Sequence, residues 1–197
     1  MTTETDLHRF TRSELLLGKQ GLQCLAASHV AVFGMGGVGS YAVEALARSG
    51  IGSLTLGDYD RICVTNINRQ LFALDSTVGR VKVEVAAERC LQINPSLQIT
   101  ARCERYTPQS GPELLAAEYD FVLDCIDTIT AKLDLITQCK ERQLPVISSM
   151  GAANKRDPGK ILQADLFDTR NCRLARIMRK ELRRRGVGND VPVVYST

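Results

Sequence analysis

No stretch of the 197-residue chain holds the roughly eighteen consecutive apolar residues that a transmembrane helix needs, so no membrane span is expected. No leader is expected either: Met1–Arg12 is polar, carries Glu4 and Asp6, and reads as neither a signal peptide nor an Arg-rich transit peptide. None of the seven cysteines is spaced C-x-x-C, which removes support for a four-cysteine zinc site. Their odd number, without an export signal, points to free thiols in a reducing cytoplasm rather than to a disulfide framework. Internal repeats, low-complexity segments and linker-like runs are absent, so the chain reads as a single domain, 1–197. A net charge of +3 is too small to indicate nucleic acid by itself. Hydrophobic content of 44% and charged content of 24% are ordinary for a globular domain with a sizeable core.

What is present is a short β-branched run, Val30–Phe33, that breaks into glycines and continues as an apolar pattern of helical period. The pattern reads as strand, tight turn and helix, with G-x-G-x-x-G at Gly34, Gly36 and Gly39 and a further glycine at Gly37. Gly34 allows a sharp turn, Gly36 lets backbone N–H groups approach a phosphate, and Gly39 lets the helix pack close to the strand. The helix N-terminus then offers N–H groups and partial positive charge to an anion. At this point NAD, FAD and ATP all remain open, as does a turn with a purely structural role.

Strand and helix alternate along most of the chain. Expected strands are Val30–Phe33, Ser53–Leu56, Leu97–Cys103, Phe121–Cys125 (buried on both faces), Val146–Ser149, Ile161–Phe167 and Val191–Tyr195. Expected helices are Phe10–Ala27 with a break near Gly18 and Gly21, Gly37–Ser49 closed by Gly50, Gly79–Ile93, Pro112–Ala117, Thr130–Gln143 and Thr169–Arg185. This is an α/β fold: a Rossmann-like, mainly parallel sheet with helices on both faces and antiparallel strands toward the C-terminus.

Residues after the glycine turn narrow the chemistry. Asp58 and Asp60 end the second strand, where a carboxylate accepts ribose hydroxyls of NAD or ATP alike. A dehydrogenase has no use for the amides and cations of Asn66-Ile67-Asn68-Arg69-Gln70 and Lys82; a phosphate- or nucleotidyl-transfer site does. Arg69 can fork onto phosphate oxygens, Lys82 adds a point charge, and Asn66 bonds an oxygen without adding charge. Against this, Lys82 could be a helix-surface lysine. Asp127 follows a strand end and suits Mg²⁺ held by one or two carboxylates with water and phosphate, or an N-cap of the next helix, or both.

Taken together, Gly34-x-Gly36-Gly37-Val38-Gly39, Asp58-x-Asp60, Asn66-x-Asn68-Arg69-Gln70, Val78-Gly79-x-x-Lys82 and Asp124-x-x-Asp127 resemble the ATP-dependent adenylating domain of the ubiquitin-activating (ThiF-like) superfamily. The likeness runs from about Phe10 to Gly151. Within that superfamily, Gly39–Gly52, Cys63–Gln70 and Gly151–Pro158 look most like the tRNA threonylcarbamoyladenosine dehydratases. The resemblance implies that Gly36 and Gly37 approach phosphates, Asp58 holds ribose, Asn66, Arg69 and Lys82 contact phosphates, and Asp127 holds Mg²⁺. It also implies a homodimer in which Arg12 reaches the partner's ATP. Members of the group continue past the equivalent of Thr197, so the domain is expected to lack the family's C-terminal segment.

The implied activity is ATP-dependent adenylation of the carboxylate of N6-threonylcarbamoyladenosine in tRNA, followed by cyclisation with release of pyrophosphate and AMP. One feature outside the resemblance fits a tRNA partner: Arg176, Arg179 and Arg183, with Arg173, Lys180, Arg184 and Arg185, crowd one expected helix whose other face is apolar. The bland alternative is a solvated basic face. Cys172 lies near the start of that helix, but no cysteine is assigned to catalysis. The rival functions are an activator of a sulfur-carrier or ubiquitin-like protein, an NAD-linked oxidoreductase and a non-catalytic binding module; a sulfur-pathway partner protein is also allowed.

Overall fold

The computed structural model describes residues 7–197. Its first strand, β1 (His29–Phe33), buries both faces: Val30 and Val32 enter one core cluster, Ala31 and Phe33 another. That two-sided burial is what an unbroken apolar strand demands in a sheet covered on both sides. β1 pairs in parallel with β2 (Ser53–Gly57) on one side and with β4 (Phe121–Asp124) on the other. The sheet is completed by β3 (Gln98–Arg102), β5 (Val146–Ser149), β6 (Ile161–Asp165) and β7 (Pro192–Ser196). Its strand order is β3-β2-β1-β4-β5-β7-β6. All neighbours are parallel except β6 and β7, the antiparallel edge expected from the sequence. Chain direction across the sheet reverses between β1 and β4, which leaves a crevice at their C-terminal ends.

Among the described residues six helices surround the sheet: α1 (Thr11–Ala27), α2 (Gly39–Ser49), α3 (Lys82–Ile93), α4 (Gly111–Leu114), α5 (Ile129–Glu141) and α6 (Arg173–Arg184). Val43 and Ala47 of α2 pack with Val83, Ala86 and Cys90 of α3 on one face. Glu44, buried between these helices, accepts from Arg48 and from both Arg89 Nε and Nη2 at 3.0 Å. The Arg89 hydrogen bonds hold its carboxyl below the usual range. Leu114 of α4 and Leu135 of α5 pack on the opposite face. Met178 and Leu182 of α6 close a third cluster with Ile136 of α5 and Val193 of β7. Among the described residues no helix is long and apolar enough to cross a membrane.

Several boundaries differ from the expected ones. The helix expected from Gly79 starts at Lys82, because Gly79 takes a left-handed φ of 87° and Val81 is extended in a bridge with Arg61. The helix expected from Thr169 starts at Arg173; Thr169 instead closes a 3-10 turn over Leu166–Asp168. β4 stops at Asp124 and is less deeply covered than expected, with Phe121 and Leu123 half-buried. α1 does kink at Gly18, at φ 72°, and Gly50 ends α2 at φ 90°.

Gly52 shows how tightly these layers fit: a Cβ there would lie 1.9 Å from the Ala26 carbonyl oxygen. Gly52→Ala should lower stability by about 1–3 kcal/mol, as overpacking does. Gly188→Ala, where nothing lies within 4 Å of the added atom, should leave the melting temperature within error; calorimetry of both variants checks this.

Candidate nucleotide site

The crevice at the ends of β1 and β4 is a cleft of about 890 Å³. Its near wall is the glycine turn. Gly34 has φ 94°, and a Cβ on it would sit 2.6 Å from the Cys125 carbonyl oxygen. A Cβ on Gly39 would sit 1.8 Å from the Gly34 carbonyl oxygen, so α2 can start this close to β1 only with hydrogen at that position. Gly36 is different: nothing lies within 4 Å of its would-be Cβ, and the residue lines the cleft. Gly37 lies under the Arg69 side chain, whose Cγ is 3.5 Å from an added Cβ. No side chain caps α2; the Ser40 N–H is taken by the Gly36 carbonyl at 3.1 Å, which leaves the Gly39 and Tyr41 N–H groups for an anion.

Asp58 sits where β2 ends. Its Oδ2 accepts the Met35 N–H at 2.6 Å, tying the glycine turn to β2, and its Oδ1 accepts the Asp60 N–H at 2.8 Å. Each oxygen keeps lone-pair capacity toward the cleft. Lys82 is not a surface lysine. It begins α3, its side chain is 8% exposed, and its Nζ donates to Asp60 Oδ2 at 2.9 Å. Two further ammonium protons remain for an anion. Buried Asn66 accepts the Cys63 N–H on Oδ1 at 3.1 Å, leaving its amide donors. Arg69 donates from Nη1 to the Thr65 carbonyl and to Asn68 Oδ1. This loop is clamped to α2 where the Leu71 N–H meets Ser40 Oγ at 3.1 Å.

The opposite wall begins with Cys125, Ile126 and Asp127. Asp127 is exposed, and its one hydrogen bond, from Thr128 Oγ1, is long at 3.4 Å. Thr128 occupies the N-cap position of α5, so capping does not account for Asp127. Among the described residues no group of three or more His, Cys, Asp or Glu side chains gathers to hold a metal. A single open carboxylate suits Mg²⁺ that takes its other ligands from phosphates and water. Burial pushes the Cys125 thiol up to about 12, so it stays protonated and is a poor nucleophile. Exposed Cys63 is shifted down, chiefly by a hydrogen bond from the Thr65 hydroxyl.

Gly34, Gly36, Gly37, Asp58, Asn66, Arg69, Lys82 and Asp127 all line this one cleft. Gly39 shapes it from behind. Arg12 does not join them: it is exposed on α1, outside the cleft. Arg176 and Arg183 are exposed on α6, whereas Arg179 donates to the carbonyls of Thr169 at 3.0 Å and Leu166 at 3.4 Å and to the Thr169 hydroxyl. Its guanidinium thus fastens α6 to the preceding turn. The Arg183 guanidinium lies 5.1 Å from the centre of the Phe167 ring.

Sequence reasoning missed Arg105, which stacks 5.2 Å over the Tyr59 ring at the cleft, and the far wall formed by Ser149–Ala153 and Leu174. These segments carry no spacing motif; only the order of strands brings them to the crevice.

The ThiF family model matches residues 10–173. The tRNA threonylcarbamoyladenosine dehydratase of Bacillus subtilis is 46% identical over 190 residues, covering 96% of this chain and 75% of that protein. The enzyme of the same name from Escherichia coli is 42% identical over 175 residues, covering 89% of this chain; the chain spans 65% of that relative's length. The crystal structure of the E. coli tRNA N6-threonylcarbamoyladenosine dehydratase in complex with ATP superposes with a TM-score of 0.94 at 40% identity, covering 100% of this chain and 84% of that one.

The two kinds of glycine should separate experimentally. Gly36→Ala should fold with an unchanged melting temperature and lose nucleotide affinity, because its methyl enters the open cleft. Gly39→Ala should lose stability as well. Thermal melts with and without ATP distinguish the two outcomes.

Proposed function

The chain belongs to the ThiF family, and on that premise we propose that it is an ATP-dependent dehydratase acting on N6-threonylcarbamoyladenosine in tRNA. The observation that carries the substrate reading is continuity between two surfaces. The cleft runs from the glycine turn to Gly151, which packs against Leu174 of α6 at 3.6 Å from an added Cβ. Beyond Leu174, the outer face of the same helix exposes Arg173, Arg176, Lys180 and Arg184. The glycine-turn cleft and the helix with the basic outer face therefore adjoin at Leu174, an arrangement suited to a polyanionic acceptor lying beside a nucleotide.

In this reading Gly36, Gly37 and the N-terminus of α2 hold the ATP phosphates, and Asp58 holds the ribose. Asn66, Arg69 and Lys82 neutralise charge growing on the leaving pyrophosphate, an electrostatic contribution that is usually large. Asp127 is the carboxylate that would hold Mg²⁺, which supplies further charge neutralisation at the phosphates. The threonyl carboxylate oxygen attacks the α-phosphorus of ATP and pyrophosphate leaves. The carbamoyl group of the same modification then attacks the activated carbonyl, the ring closes, and AMP departs. The sum is loss of one water. The protein positions the reactants and screens their charge.

Arg12 acts on the neighbouring subunit's ATP in this reading. α1 buries none of its residues and leaves Leu15 and Leu16 exposed, a surface suited to a second copy. No sulfur moves in the reaction, so a sulfur-pathway protein is an optional partner, detectable as a rate that rises when it is added. A tRNA substrate places the enzyme in the cytoplasm.

With modified tRNA, ATP and Mg²⁺, the protein should release AMP and lower the tRNA mass by one water. A chain that instead exchanges pyrophosphate only with a small carrier protein would be a carrier-protein activator. Charge reversal at Arg176 and Lys180 should weaken tRNA binding and reduce its salt slope by about one for each lost phosphate contact. Arg179 is unsuited to that test because it holds the turn at residues 166–169.

Arg12→Ala and Lys82→Ala should each be inactive alone. Mixed in equal amounts, they should regain roughly a quarter of the wild-type activity, since half the dimers then carry one intact composite site. No recovery on mixing would remove the role in trans.

A further inference from the structure

Three buried polar groups lie under the floor of the cleft and take no part in the steps above. Lys132 and Asp124 are both fully enclosed, with 0% of each side chain exposed. Lys132 Nζ donates to Asp124 Oδ2 at 2.8 Å, to Ser148 Oγ at 3.0 Å and to the Asp124 carbonyl at 3.4 Å. Ser148 Oγ donates to the same Asp124 Oδ2 at 2.6 Å. Asp124 Oδ1 accepts the Ile126 N–H at 3.2 Å. The charges are therefore paired and their hydrogen bonds largely satisfied.

An enclosed ion pair is a poor way to gain stability, because desolvation of both charges offsets their attraction. Apolar side chains of similar volume would serve the core as well. What the pair does provide is direction: an ammonium with three acceptors holds those acceptors at set distances and angles. The three acceptors and the lysine belong to elements that all lead into the cleft. Asp124 ends β4 and leads to Cys125, Ile126 and Asp127. Ser148 lies in β5 and leads to Ser149–Ala153. Lys132 stands one turn into α5, behind Thr128 and Thr130. β5 passes the constraint on, since Ser148 pairs with Val193 of β7 and the Met150 N–H bonds the Val194 carbonyl at 2.8 Å.

We propose that Lys132 is a positioning residue that fixes the wall bearing Asp127 against the wall bearing Gly151. Through those walls it sets the line between the acceptor carboxylate and the α-phosphate. The inference rests on the reaction proposed above. The contacts of Asp58, Asn66, Arg69 and Lys82 do not pass through Lys132, so ATP affinity and turnover should separate when it is altered.

The test uses the full chain carrying Lys132→Met or Ser148→Ala, with three readouts: ATP dissociation constant, single-turnover dehydration of modified tRNA, and hydrogen exchange of the amides at 125–130 and 149–153. Lys132→Met should slow dehydration about a hundredfold, the scale of a small misplacement of reactants, and Ser148→Ala about tenfold. ATP affinity should stay within about threefold in both, since uniform binding and alignment are separate terms. Exchange should rise together in the two segments. Should Lys132→Met fail to fold, Ser148→Ala, which keeps the ion pair, decides. Unchanged exchange in both segments overturns the proposal, as does a fall in ATP affinity equal to the fall in rate. A wild-type protein that binds ATP but dehydrates no tRNA counts against the proposed reaction, and the exchange data still decide the role of Lys132.

Discussion

The cleft depends on three backbones meeting at less than a methyl group's width. The start of α2 approaches the end of β1 so closely that Gly39 carries its hydrogen against the Gly34 carbonyl, and Gly34 in turn lies against the Cys125 carbonyl. Any Cβ at either glycine would push α2 away from β1, or β1 away from the β4–α5 turn. Close packing aims the N-terminus of α2 into the crevice, and the Met35–Asp58 hydrogen bond holds the turn open on its ligand side. Gly36 has no such steric reason to be glycine in the protein alone, which is why its small size reads as room for a ligand.

Charge in the cleft is organised by two lysine–aspartate pairs with opposite exposure. In the Lys82–Asp60 pair the lysine is nearly covered while the aspartate is 45% exposed, so solvent and ligand reach the pair. The salt bridge orients the ammonium without consuming it, and in the proposed reaction it meets phosphate. In the Lys132–Asp124 pair both groups are sealed, no ligand can reach them, and all their capacity is spent on the protein. One pair is therefore suited to binding and the other to geometry, although the residue types are the same. Burial, and not identity, makes the difference, because a charge's partners in a protein interior are fixed while those at a cleft wall can be exchanged.

Much of this architecture was legible from local pattern. The alternation of apolar runs with helical periods located every strand to within two residues: β1 is apolar at nearly each position because both its faces are buried, while the exposed edge strands β3 and β6 were marked by short β-prone runs between turns. Glycine, aspartate, asparagine, arginine and lysine at set spacings picked out residues that the fold gathers on one cleft wall. Reading failed where the determinant was not local. Gly79–Val81 continue an amphipathic pattern, yet Val81 is captured by a bridge to Arg61 and the helix starts later. Arg179 reads as one more cation on a basic face, yet it turns back onto the Thr169 and Leu166 carbonyls. Lys132 sits in an ordinary helical stretch, and nothing in its neighbours in sequence signals that it is enclosed.

The amino-acid order alone determined the α/β class, the strand–turn–helix at the glycines and the cationic character of the segment from Asn66 to Lys82. These follow from backbone sterics and periodicity, which act over a few residues. Only the folded arrangement decided that Arg105, Ser149–Ala153 and Leu174 of α6 share a cleft with the glycine turn. It also decided which lysine lines the cleft and which is sealed beneath the floor. Those outcomes depend on strand order and on burial, which residues far apart in the chain settle jointly when the sheet assembles.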